Sequence, residues 1–210
     1  MIYAILIFVL SFLLTMLSLP QILLVSYQKK LFDKPEARKQ HRTPSSRLGG
    51  FCFVPVLFFS VSLLGAVIIK LEPDTYLRTY TDSLSCMTFF AAGLILVYMM
   101  GLMDDLIGLG YKRKFVVQIL GALMLWLAGV GINSLGGLFG ITDVPYWMSL
   151  PLTLLFVVYI TNSVNLIDGI DGLASGLGIL ALALFVVFSS VQMFHLLNLL
   201  LFSSMLGILL

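Results

Sequence analysis

Charge is what this sequence has least of. Only 10% of its 210 residues are Asp, Glu, Lys or Arg, against about a quarter in a soluble domain. No charged residue precedes Lys29, and no Lys or Arg follows Lys114. Cysteine is nearly absent too. Cys52 and Cys86 both fall in apolar stretches, with neither metal-ligand spacing nor a disulfide framework, and read as small packing residues. No internal repeat is present. The shortage of charge excludes a cytosolic enzyme, a nucleic-acid binder and a disordered tail.

What fills the chain instead is apolar sequence: 60% hydrophobic residues and a mean hydropathy of +1.09. The runs cover 2–25, 51–69, 84–103, 115–132, 145–161, 173–191 and 196–210. A helix needs about 20 residues to cross the hydrocarbon core. Lipid-exposed backbone must satisfy its own hydrogen bonds, so the expected fold is an all-α polytopic membrane protein with six transmembrane helices and a seventh. The last run has 15 residues, which predicts that the native reading frame continues past Leu210. The first run lacks the basic flank and short core of a cleaved signal.

The bases set the topology. Seven of the twelve lie in 26–50, three in 104–114 and two in 70–83. The positive-inside rule puts 26–50 in the cytoplasm. Alternation then places 104–114 and 162–172 on the same side, with 70–83 and the Gly-rich stretch 133–144 outside. The latter reads as a short hairpin. The whole chain forms one membrane domain, 1–210.

Four of the ten acidic residues stand apart: Asp104, Asp105, Asp168 and Asp171 lie at the expected cytoplasmic helix ends, flanked by apolar sequence. Asp104 and Asp105 are adjacent, and neighbouring carboxylates repel strongly where the dielectric is low. A divalent cation relieves that repulsion, and hard oxygen ligands suit Mg²⁺ or Mn²⁺. The plain alternative is an acidic cap beside Lys112, Arg113 and Lys114. The stretch Asn162-Ser-Val-Asn165-Leu-Ile-Asp168-Gly-Ile-Asp171-Gly-Leu-Ala sets a polar residue at every third position, with no Lys, Arg or Glu. Its glycines predict a helix end followed by a tight polar loop; the alternative is an ordinary hydrophilic turn. The first basic loop contains His41-Arg-Thr-Pro-Ser-Ser-Arg47-Leu-Gly-Gly. Alone it reads as a positive-inside loop with affinity for anionic lipid. Its glycines and Arg47 also suit a phosphate. Carboxylates for a metal, bases for phosphates and amides for a base or sugar, all on one membrane face, describe phosphoryl transfer from a soluble nucleotide donor to a lipid acceptor.

These residues resemble the polyprenyl-phosphate N-acetylhexosamine-1-phosphate transferase family, glycosyltransferase family 4. The resemblance rests on the His41–Gly50 stretch, on Asp104-Asp105 followed by Lys114-Phe-Val-Val-Gln118, and on the Asn162–Ala174 stretch. The His-x-x-Pro-x-x-Arg-x-Gly-Gly form looks like the branch that transfers GlcNAc-1-phosphate to undecaprenyl phosphate, rather than the peptidoglycan phospho-MurNAc-pentapeptide translocase. The family has about ten or eleven spans, so the resemblance implies an N-terminal part of its fold. It further implies transfer of GlcNAc-1-phosphate from a UDP-sugar to polyprenyl phosphate with release of UMP, the initiating step of a cell-envelope glycan. Mg²⁺ or Mn²⁺ would be the cofactor and the cytoplasmic face of a bacterial inner membrane the place. By the family pattern, Asp104, Asp105 and Asp168 would be catalytic and hold the metal. His41, Arg47, Lys114, Asn162, Asn165 and Asp171 would bind substrate. The partners implied are the UDP-sugar, polyprenyl phosphate and the bilayer, with room for a homodimer and none for nucleic acid. Two other readings stand beside this one. One is an inactive or assembly-only membrane fragment. The other is a CDP-alcohol phosphatidyltransferase, which the Ser175 following Asp171-Gly-Leu-Ala does not match.

Overall fold

A computed structural model describes residues 2–29, 31, 48–71, 73–168, 170, 172–191 and 196–210; for 73–83, 139, 190–191 and 196–197 it describes the backbone alone. Each apolar run contains one helix. These are α1 (Ile2–Lys29), α2 (Phe53–Leu71, entered through a 3₁₀ turn at Gly49–Cys52), α3 (Pro73–Ile107), α4 (Tyr111–Leu127), α5 (Tyr146–Ile167), α6 (Leu173–Val191) and α7 (Leu196–Leu209). No strand occurs among the described residues, only one isolated antiparallel bridge between Ser134 and Asp143. The expected all-α membrane fold is thus the observed one.

The helix lengths differ from the apolar runs for local reasons. Among the described residues, four segments are long and apolar enough to cross a membrane: Ile2–Lys29, Gly49–Leu71, Leu84–Ile107 and Tyr146–Ile167. By the same measure α4 falls short, at 17 residues. Its first turn carries three bases, and its end is set by Gly129 in the left-handed region at φ +83°. There the Val130 N–H reaches the Leu125 carbonyl and the Gly129 N–H the Trp126 carbonyl, both at 3.0 Å, the pattern of a Schellman cap. Stretches expected as loops are also partly helical. The backbone of 73–83 continues α3, because a helix leaving the membrane needs only water-compatible side chains to go on. The stretch 104–114 shrinks to Gly108-Leu109-Gly110 between α3 and α4. The stretch 133–144 is the expected hairpin: beside the bridge, Leu135 N–H donates to the Thr142 carbonyl and Val144 N–H to the Asn133 carbonyl.

The chain divides into two compact units, 1–80 with 167–210, and 81–166. In the first, α1, α2 and α7 pack together and α6 lies on α7. The α1–α7 seam uses small residues, as close helix packing in lipid requires. Ser11 and Ser204 are hydrogen-bonded at 2.8 Å, both fully buried, and Gly207 lies against the main chain at Phe8 and Phe12. Phe185 and Phe202 stack where α6 meets α7.

In the second unit α4 is the middle member. Gly93 of α3 lies under Met124, and Gly121 of α4 faces Val97. At the hairpin end, Trp126 donates its indole N–H to Ser149, Ser149 donates to the Asn133 side chain at 2.7 Å, and Ile132 N–H donates to Thr153. Ser149 and Thr153 are buried, so these bonds leave neither hydroxyl unmatched.

Candidate functional site

The other end of the second unit holds the acidic pair. α3 ends at Gly108, whose φ of +69° favours glycine and whose N–H returns to the Asp104 carbonyl at 2.9 Å. The next N–H, that of Leu109, donates to Asp104 Oδ1 at 2.8 Å. Asp104 Oδ2 lies 2.5 Å from Lys114 Nζ in the first turn of α4. Asp104 therefore closes the α3–α4 turn with its carbonyl and both carboxylate oxygens. Asp105 is exposed beside it.

The charges here run against the helix dipoles. A helix C-terminus favours cations and an N-terminus anions, each by about 0.3–1 kcal/mol. α3 instead ends on Asp104 and Asp105, and α4 begins with Lys112, Arg113 and Lys114. Helix stability does not account for that order, and the Asp104–Lys114 pair offsets only part of its cost.

One turn beyond Lys114, Gln118 is buried at 7% exposure. Its side chain meets Asn162 of α5 in both directions. Asn162 Nδ2 donates to Gln118 Oε1 at 3.0 Å, and Gln118 Nε2 donates to Asn162 Oδ1 at 3.5 Å. Asn162 Nδ2 also donates to the Val158 carbonyl at 2.8 Å. A buried amide left without such partners costs about 1–3 kcal/mol. Between α4 and α5 runs an open, mostly apolar groove of about 630 Å³. Phe115, Ile119, Leu155, Val158 and Leu166 line it, and Asn162 and Ser163 give it a polar end.

α5 carries Asn162 and Asn165 to its last turns, both exposed, and stops at Ile167. Asp168, also exposed, opens the turn that follows, and Gly172 at φ +76° leads into α6. The expected helix end is thus present, although 162–167, expected as the start of the loop, are still helical. Asp104, Lys114 and Asn162 come together in the 81–166 unit with Asp105 and Asn165, while Asp168 belongs to the other unit. His41, Arg47 and Asp171 lie outside the described residues. Gln118, whose part the sequence alone does not reveal, joins the group in the 81–166 unit through Asn162. Its signal is a lone amide in the apolar stretch that follows the three bases of α4.

Among the described residues, no group of three or more His, Cys, Asp or Glu is placed to hold a metal ion. Both carboxylate oxygens of Asp104 are engaged within the protein. Asp105 and Asp168 are exposed hard-oxygen donors, and Mg²⁺ typically takes one or two carboxylates together with substrate phosphates and water. Each of these carboxylates is of the hard-oxygen chemistry that such an ion takes.

Residues 87–210 match the family model described as glycosyl transferase family 4. The probable undecaprenyl-phosphate N-acetylglucosaminyl 1-phosphate transferase of Bacillus subtilis (strain 168) is 30% identical over 184 residues, 84% of this chain and 45% of that protein. The decaprenyl-phosphate N-acetylglucosaminephosphotransferase of Mycobacterium tuberculosis (strain ATCC 25618 / H37Rv) is 33% identical over 159 residues, 74% of this chain and 37% of the relative. The phospho-N-acetylmuramoyl-pentapeptide-transferase of Staphylococcus carnosus (strain TM300) is 28% identical over 202 residues, 86% of this chain and 58% of the relative. The chain thus spans about half the length, or less, of most relatives it matches. No solved structure matches.

Proposed function

The chain belongs to glycosyl transferase family 4, and from that premise we propose that it transfers a sugar-1-phosphate, GlcNAc-1-phosphate by preference, from a UDP-sugar to a polyprenyl phosphate. An oxygen of the lipid phosphate would attack the sugar-bearing phosphorus of the donor. The P–O bond to UMP breaks, UMP leaves with its electron pair, and the product is a polyprenyl-diphospho-sugar. The observation that carries this reading is Lys114, a cation pinned by Asp104 next in sequence to Phe115, where an apolar groove begins. A groove bordered by about 22 Å of α5, from Pro151 to Leu166, suits an isoprenoid chain. A fixed ammonium near its polar end suits the phosphate at that chain's head.

Lys114 orients and neutralises phosphate, and Asn165 offers an exposed amide to the donor. Asp104, Asp105 and Asp168 each keep the metal-ligand role that the family pattern implies, for Mg²⁺ or Mn²⁺, which when bound would neutralise charge developing on the diphosphate. His41, Arg47 and Asp171 keep the substrate-binding roles that the family pattern implies. The membrane is a bacterial inner membrane, with these groups on its cytoplasmic face.

Membranes carrying the chain are expected to release UMP from UDP-GlcNAc only when polyprenyl phosphate is supplied. Release with UDP-MurNAc-pentapeptide and not UDP-GlcNAc would move the chain to the translocase branch. No release with either donor would leave the assembly-only reading. The orientation has its own check. Cysteines introduced at Gln40 and Lys112 should be protected from an impermeant thiol reagent in intact cells, and those at Thr75 and Thr142 should react. Labelling of Gln40 from outside would overturn the topology.

A further inference from the structure

We propose that Gln118 is a positioning residue: acting through Asn162, it sets the rotation of α5 against α4 and so fixes how Lys114 and Asn165 are presented. The inference rests on the transferase reading above and adds a residue to it. The Gln118–Asn162 pair is closed. Both N–H groups of Asn162 are spent, one on Gln118 and one on the Val158 carbonyl, and its oxygen faces Gln118. An amide so engaged has no donor left for a substrate, so Asn162 braces rather than reads.

Position does the rest. Lys114 and Gln118 are four residues apart on α4, and Asn162 and Asn165 three apart on α5, so each pair shares a helix face. The amide bridge lies one turn inward from the two groups offered to substrate. Phe115 and Ile119 beside it, and Val158 and Leu166 across from it, are apolar, and apolar packing alone sets helix rotation loosely. Amide hydrogen bonds are directional and specify one setting.

The experiment uses the full chain and its double-mutant cycle. Gln118→Leu is expected to lower kcat for UMP release about tenfold with little change in KM, since a misplacement near 1 Å can cost 10²-fold. Adding Asn162→Leu should cost nothing more, because the two act as one unit. Gln118→Glu, whose carboxylate still accepts from Asn162 Nδ2, should keep most of the turnover. Additive losses, or a Gln118→Leu variant with normal kcat, would overturn the proposal. A second readout needs no activity. Spin labels at Val116→Cys and Val164→Cys, in a chain with Cys52 and Cys86 changed to serine, should give one narrow distance distribution. Gln118→Leu should broaden or shift it, and Gln118→Glu should not. Identical distributions in all three would overturn the brace. If no donor supports UMP release, the transferase reading fails while the label distances still decide the positioning.

Discussion

Asp105→Asn is expected to cut turnover by roughly 10²–10³, the usual size of a lost electrostatic contact in a transition state. The change keeps shape and hydrogen-bonding capacity and removes one negative charge. Asp104 is held by Leu109 N–H and Lys114, and Asp105, exposed beside it, carries the other negative charge of the pair. Asp168→Asn should behave alike. Asp104→Asn should differ in kind: its amide oxygen still caps Leu109, and losing a part-exposed ion pair costs up to about 1 kcal/mol, but Lys114 is released from its place. Asp143→Asn, at the base of the distal hairpin, is the control and should change little. UMP release per folded molecule, followed over several Mg²⁺ concentrations, checks the series. Near-normal turnover in both Asp105→Asn and Asp168→Asn would end the metal reading and leave an acidic helix cap.

The second large effect is on stability. Gly207→Val should sharply reduce the folded yield. A Cβ at Gly207 would run into the Phe8 carbonyl and crowd the Phe12 nitrogen, both main-chain atoms that no rotamer change can move. The seam must open, which breaks the Ser11–Ser204 bond as well. Overpacking a core costs about 1–3 kcal/mol and more when backbone must shift. Gly176→Ala, where a Cβ meets nothing within 4 Å, should be neutral or add a few tenths of a kcal/mol from helix propensity. Thermal unfolding in detergent of the two variants beside the parent checks the contrast. Equal melting would mean that α1 and α7 do not meet at Gly207.

The helices were legible because hydropathy is decided residue by residue within each run. Their ends were not, because they depend on single left-handed glycines. α3 runs two residues past the Asp104-Asp105 expected to end it before Gly108 turns the chain, and Gly129 stops α4 inside an apolar stretch. The acidic pair and the Asn162 ladder stood out in sequence through their rarity. The engagement of Asp104 did not, since it turns on which carboxylate the Leu109 N–H and Lys114 select. The role of Gln118 is not legible in sequence because its partner, Asn162, is 44 residues away.

The unequal lengths of α4 and α5 carry a consequence for the bilayer itself. At 1.5 Å per residue, the 17 residues of α4 reach about 25 Å and the 22 of α5 about 33 Å, against a hydrocarbon slab of about 30 Å. A short helix fixed beside a long one cannot relieve the mismatch by tilting alone, so the leaflets beside it must thin. Thinning next to Lys112, Arg113 and Lys114 would lower the headgroup plane toward the groove. A carrier lipid diffusing past would then meet the protein at a dimple, its phosphate already near those amines before any of its chain had left the membrane.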